Sequence, residues 1–247
     1  EGPIPSWKIF RNRADTHGNG NGLAGKTYGL PRFAQSAFRT RFPFGEIELR
    51  DAKLPIQVAV RGWSPFIPLN ADDSSLPVAA LEYTFHNVAD QPLELIYSFH
   101  SANFMAVPDN GSSQRIEEAK NGFVLVQPPV EARPWDQGAF CVVTDQPQTV
   151  VDHGWFRGGW FDPLTVVWNT IESGICKANP PIAEGEPSPG ASLYVPLALA
   201  ANESKTIRVL FAWHVPESNV RAGVPKDANK DNSDGASDKE VPAYHKP

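Results

Sequence analysis

Short runs in which apolar and polar residues alternate with a period of two recur along most of the chain, and this alternation limits the fold more than any other feature. The runs are GEIELRD (45–51), IQVAVRGW (56–63), ALEYTFHN (80–87), LELIYSFHS (93–101), GFVLVQ (122–127), AFCVVT (139–144), SLYVPLAL (192–199) and KTIRVLFAWHV (205–215). Successive side chains of a strand point to opposite faces, so this period places one face of each run in a core and the other toward water. Twenty-four prolines and nineteen glycines cut the runs apart, and almost nothing between them has a helical period. The pattern predicts an all-β protein, a large two-sheet antiparallel β-sandwich.

One segment departs from that period. In WFDPLTVVWNTIESG, Asp162 suits an N-cap, Pro163 the first helical position and Gly174 a left-handed stop. Leu164, Val167, Trp168 and Ile171 fall on one face at spacings of three and four, which predicts a short helix near 163–173 lying on a sheet. Residues 13–29 are Gly/Asn-rich and residues 178–191 Pro/Gly-rich, and both read as loops. The chain has 247 residues, so a single sandwich domain is expected over 1–224, with residues 225–247 a polar loop or linker.

Composition excludes several classes of function. A net charge of −6 gives no general basic footprint for a phosphate backbone or an anionic membrane. No apolar run is long enough to span a bilayer. The first residues, EGPIPSW, lack the charged start and apolar core of a signal peptide. That favours the cytoplasm and leaves the compartment open. The first residue is also not Met, which fits either a removed leader or a fragment of a longer protein. Cys141 and Cys176 lie among apolar neighbours and read as buried free thiols.

The candidate chemical groups fall into four sets. Asp72 and Asp73 adjoin each other in NADDSS between Pro68 and Pro77, whereas a glycosidase pair must flank a sugar from opposite sides; the reading is a turn. His86, His100 and His214 sit on strands without a third metal ligand at a recognised spacing, and read as hydrogen-bonded strand residues. Trp155, Phe156, Trp160 and Phe161 surround Arg157 and two glycines, an arrangement that suits sugar stacking, a docking surface, or the seat of the helix on its sheet. Asp227, Asn229, Asp231 and Asp238 take the first, third, fifth and twelfth positions of a calcium loop, but Asn232 replaces the turn glycine and Asp238 the bidentate glutamate. That tail reads as an acidic loop. No nucleophile elbow, Walker loop, Rossmann fingerprint or HExxH occurs, and no cofactor is expected.

The blocks GLPRF (29–33), FPFGEIELRD (42–51), SPFIPLNADDSSLPVA (64–79), GASLYVPLALAANESKTIRVLFAWHVP (190–216) and YHKP (244–247) resemble the N-terminal domain of glycoside hydrolase family 116, the family of bile-acid β-glucosidase, or non-lysosomal glucosylceramidase. The resemblance implies a β-sandwich placed before an (α/α)₆ barrel that carries the retaining glycosidase chemistry. It therefore implies no catalytic residue here, a C-terminal catalytic barrel as partner, and a β-glucoside or glucosylceramide that reaches the protein through that barrel. The chain departs from the family in its Gly/Asn-rich stretch before GLPRF, where a strand is expected, and this would leave an open sheet edge. Two other readings compete with a supporting sandwich. One is a stand-alone carbohydrate-binding module that stacks sugars on exposed Trp and Tyr. The other is an enzyme using Glu82, Glu94 or His100 in a cleft that the sequence does not reveal.

Overall fold

The structure, a computed structural model, describes residues 10–11, 28–29, 33–108, 111, 113–158 and 163–218. Two antiparallel sheets face each other. The larger has eight strands in the spatial order β3 (Gln35–Arg41), β4 (Phe44–Arg50), β5 (Ile56–Trp63), β6 (Val78–Asn87), β13 (Ser204–His214), β10 (Gly138–Thr144), β9 (Gly122–Gln127) and β8 (Arg115–Ala119). The smaller has three, β11 (Val150–Asp152), β12 (Gly190–Leu199) and β7 (Leu93–Ala102). β1 (Phe10–Arg11) and β2 (Tyr28–Gly29) form a separate two-residue pair at the borders of the Gly/Asn-rich stretch, most of which lies outside the described residues.

The core follows from the period of two. From the small sheet, every second residue of β12, Ala191 through Leu199, points inward with Tyr97 of β7. From the large sheet come Val58, Phe85, Ile207, Val209, Val142, Phe123, Leu125 and Ile116, one face of six successive strands. Leu193, Phe123, Leu125, Ile207 and Val209 are fully buried. Each such side chain contributes about 1.5–3 kcal/mol relative to exposure. The small sheet does not extend over β3, which is exposed at all seven positions. Its Phe38 stands opposite Ile47 on the continuation of the inner face, and both remain in water. β3 is thus the open edge, and Arg39 and Arg41 in it discourage pairing with another strand.

Helix α2 spans Pro163–Glu172. Val167 is buried and Trp168 and Ile171 half-buried, as the spacing predicts. Gly174, at φ 65°, ends the helix in the left-handed conformation, and its N–H donates to the Ile171 carbonyl at 2.9 Å. Asp162, the expected cap, lies outside the described residues.

A second helical turn, α1 (Ala71–Ser74), occupies the NADDSS segment. Asn70 caps it: its Oδ1 accepts from the Asp73 N–H at 3.1 Å, and its Nδ2 donates to the Asp73 carboxylate at 2.7 Å. The two aspartates therefore lie in a capped turn, as expected, although the capping acceptor is Asn70 and the Asp73 carboxylate bonds its side-chain amide.

Candidate functional site

The outer face of the large sheet holds Glu82, one of the carboxylates considered for catalysis, together with Glu46. Arg39, Glu46, Arg61, Glu82 and Arg208 stand in direct register on five neighbouring strands, a row of alternating charge. Arg61 binds Glu46 at 2.8 Å and Arg208 binds Glu82 at 2.7 Å. These residues line a hollow of about 370 Å³. Each of Glu46 and Glu82 is engaged by a guanidinium on the surface of one sheet, which is not the disposition of two carboxyls facing each other across a sugar. Glu94 lies on the outer face of the other sheet, opposite Ala198 in register, so it is remote from Glu82.

On that second outer face a polar array lies beneath the segment after β11. Trp155 is only 4% exposed, and its indole Nε1 donates to Ser192 Oγ at 2.8 Å. Ser192 Oγ in turn meets His100 Nδ1 at 2.8 Å, and His100 Nε2 meets Ser98 Oγ at 2.9 Å. Ser192 Oγ accepts from the indole and keeps a proton and a second lone pair, so it can pair with His100 Nδ1 in either tautomer of the ring. Burial lowers the His100 pKa from 6.5 to about 4, so the ring is neutral near pH 7. Gly190 makes room for the indole; a Cβ there would stand 2.5 Å from the ring. The buried Asp152 carboxylate accepts from the Gly154 N–H at 2.9 Å and from Asn179 Nδ2 at 2.8 Å. Ser192 is fully buried, so the array resembles a serine–histidine pair in composition yet is closed to substrate.

Trp155 is thus an interior residue whose ring offers no face to a sugar, and Phe156 is half-buried. Trp160 and Phe161 lie outside the described residues, as do Asp227, Asn229, Asp231 and Asp238. Among the described residues no cluster of three His, Cys, Asp or Glu is placed to hold a metal. His86 bonds Ser204 Oγ at 2.9 Å on the outer face of the large sheet, and His214 is exposed at the end of β13. Cys141 and Cys176 are free and half-buried, and burial raises both thiol pKa values. A hollow of about 280 Å³ beside β8 is lined by Gln114, His153 and Ser188. The polar atoms there without a protein partner, His153 Nε2 and Gln114 Oε1, are themselves shut off from solvent.

What the sequence did not reveal is where exposed apolar side chains gather. The β3–β4 turn presents Phe42 and Phe44, and the β5–β6 connection presents Phe66, Ile67, Leu69 and Leu76, followed by Val78. Trp213 and Val215 close β13, and Phe104 follows β7. Strand register puts all of these at one end of the sandwich. The Phe104 ring packs on Phe140 at the start of β10, which joins the β7 exit to the same end. Phe42 and Phe66 contact edge to face, with ring centroids 4.7 Å apart. At the other end the connections Val88–Pro92 and Ala200–Glu203 expose Val88 as their one large apolar side chain. Exposed apolar side chains gathered at one end in this way are characteristic of interaction sites.

No curated protein matches the chain. Solved structures with some likeness include a putative kojibiose phosphorylase from the human microbiome, at 11% identity and TM-score 0.38, covering 69% of this chain and 17% of that one. Another is a TPR-domain containing protein from Parabacteroides distasonis ATCC 8503, at 9% identity and TM-score 0.37, covering 79% and 38%. The chain spans well under half the length of either. A family model described as beta-glucosidase 2, glycosyl-hydrolase family 116 N-term, matches residues 2–233. With nearly all of its length matched by that model, the chain belongs to glycosyl-hydrolase family 116, as its N-terminal domain.

Proposed function

We propose that this sandwich is the non-catalytic N-terminal domain of a retaining β-glucosidase or glucosylceramidase-type hydrolase, and that it packs against an (α/α)₆ catalytic barrel and supports it. The observation that carries the reading is the apolar end of the sandwich. Phe42, Phe66, Leu69 and Trp213 stand in solvent there, and β13 ends at His214 at the same end. A domain joined through that exit is held near the apolar end at high effective concentration, so burying these side chains is enough to fix its orientation. The sandwich would then raise rate by positioning, while bond cleavage belongs to the barrel.

The test compares the chain alone with a polypeptide that carries it together with a family 116 catalytic domain. Alone, it should not turn over a chromogenic β-glucoside. In the joined polypeptide the amides of residues 42–44, 65–78 and 213–215 should gain hydrogen-exchange protection. Turnover by the isolated chain, or exchange at that end unaltered by the catalytic domain, would refute the proposal.

A further inference from the structure

We infer that the 65–76 loop is a preformed plug and that Leu69 inserts into an apolar socket of the catalytic domain; this rests on the docking reading above. Leu69 has a φ of 66°, the left-handed conformation that glycine or asparagine adopts with little strain and that crowds a leucine. Its relative exposure is 109%, so none of its side chain is covered within the sandwich. A leucine at this position gives the domain backbone strain and no burial in return, and the missing burial has to come from outside it.

The turn is nonetheless held firmly. Ile67 and Asn70 form an isolated bridge, with the Asn70 N–H donating to the Ile67 carbonyl at 3.0 Å. Ser74 Oγ accepts from the Ile67 N–H at 2.9 Å and donates to the Asn70 carbonyl at 2.6 Å. Asn70 caps α1 in front of Asp73. The backbone on both sides of Leu69 is therefore ordered before any partner arrives, which removes the entropy loss that a mobile loop would suffer on docking. An aliphatic side chain projected in this way, flanked by Phe66 and Ile67, suits a concave apolar socket in the manner of an interface anchor.

The path of the chain points to the catalytic domain as the occupant. The Trp213 N–H donates to the Pro77 carbonyl at 2.9 Å, so the last strand runs out beside the C-terminal end of this loop. The polypeptide that leads from β13 toward a C-terminal domain therefore sets out from beside the plug.

Leu69→Gly and Leu69→Asp test this through effects of opposite sign. In the isolated chain Leu69→Gly relieves the left-handed strain, and its thermal midpoint should stay level or rise. In the polypeptide joined to the catalytic domain, both substitutions should speed amide exchange over residues 65–78 at least tenfold. Unchanged exchange in this loop, with the rest of the apolar end still protected, would overturn the plug and leave the docking reading intact. Absence of protection over the whole end in the unsubstituted joined polypeptide would overturn both. Protection that rises with protein concentration would identify a second copy as the occupant and overturn the plug as stated.

Discussion

Trp155 and Ser192 meet inside the protein, the indole Nε1 donating to the serine Oγ at 2.8 Å, and this contact fastens the segment after β11 onto the outer face of the small sheet. The same segment is held again where the Trp155 N–H donates to Ser188 Oγ at 2.9 Å.

Removing either partner should be felt. Ser192→Ala leaves a buried indole N–H and one imidazole nitrogen unpaired, and should destabilise the chain by about 1–3 kcal/mol. Trp155→Ala should cost about 3–5 kcal/mol through the cavity it opens. Gly190→Ala should resemble the tryptophan variant, because its methyl would occupy the indole's place. Urea denaturation reads all three, and a double-mutant cycle on Trp155 and Ser192 should return a coupling of at least about 0.5 kcal/mol.

His100 makes stability depend on pH. Its pKa is lowered from 6.5 to about 4 by burial, so the unfolded chain takes up this proton more readily than the folded one. This contribution is fully present above pH 6.5 and is lost as pH falls toward 4, with a full loss on the order of 3 kcal/mol. His100→Gln should flatten the slope of stability against pH between 6.5 and 4. An unchanged slope in denaturation midpoints across that range would count against the assignment.

Asn87 does at the polar end what Trp155 does on the sheet face. It is fully buried, donates from Nδ2 to the carbonyls of Gln91 at 2.8 Å and Ala200 at 3.0 Å, and accepts the Ala89 N–H at 2.9 Å. Asn87→Leu would strand these backbone groups between two connections. The expected loss is about 2–4 kcal/mol. Asn87→Asp keeps the acceptor and loses the donors, so its thermal midpoint should also fall.

Much of this architecture was legible because burial on one sheet face writes itself as alternation. The runs over β4, β5, β6, β7, β9, β10, β12 and β13 match their strands to within two residues at either end. β3 was not legible, since QSAFRTR covers nothing and so needs no apolar alternation. RIEEA in β8 carries one buried residue, Ile116, and β11 is three residues long; neither is enough to show a period. The helix α2 announced itself through Pro163 and Gly174, whereas α1 is a single turn whose signal was Asn70 three residues before Asp73. The apolar end was hidden because its residues come from connections far apart in sequence, and only register brings Phe42, Phe66 and Trp213 together. The role of Trp155 was hidden for the same reason, as its partner Ser192 lies on another strand.

The charged row across the large sheet yields a prediction of the opposite kind, in which one substitution is nearly silent and its reversal is not. Glu82 lies in register between Arg61 and Arg208, and bonds the latter at 2.7 Å. Arg208 is open to water and Glu82 half-buried at the surface, where ionic screening and side-chain entropy leave such contacts little net effect, so Glu82→Gln should move the urea midpoint only slightly. Glu82→Lys instead puts three cations side by side on adjacent strands, and like charges directly opposite each other are destabilising. The midpoint of Glu82→Lys should fall clearly at low ionic strength and recover with added salt, while that of Glu82→Gln should show little response to salt. Equal midpoints for the two variants at low salt would mean that register on this face has no electrostatic consequence.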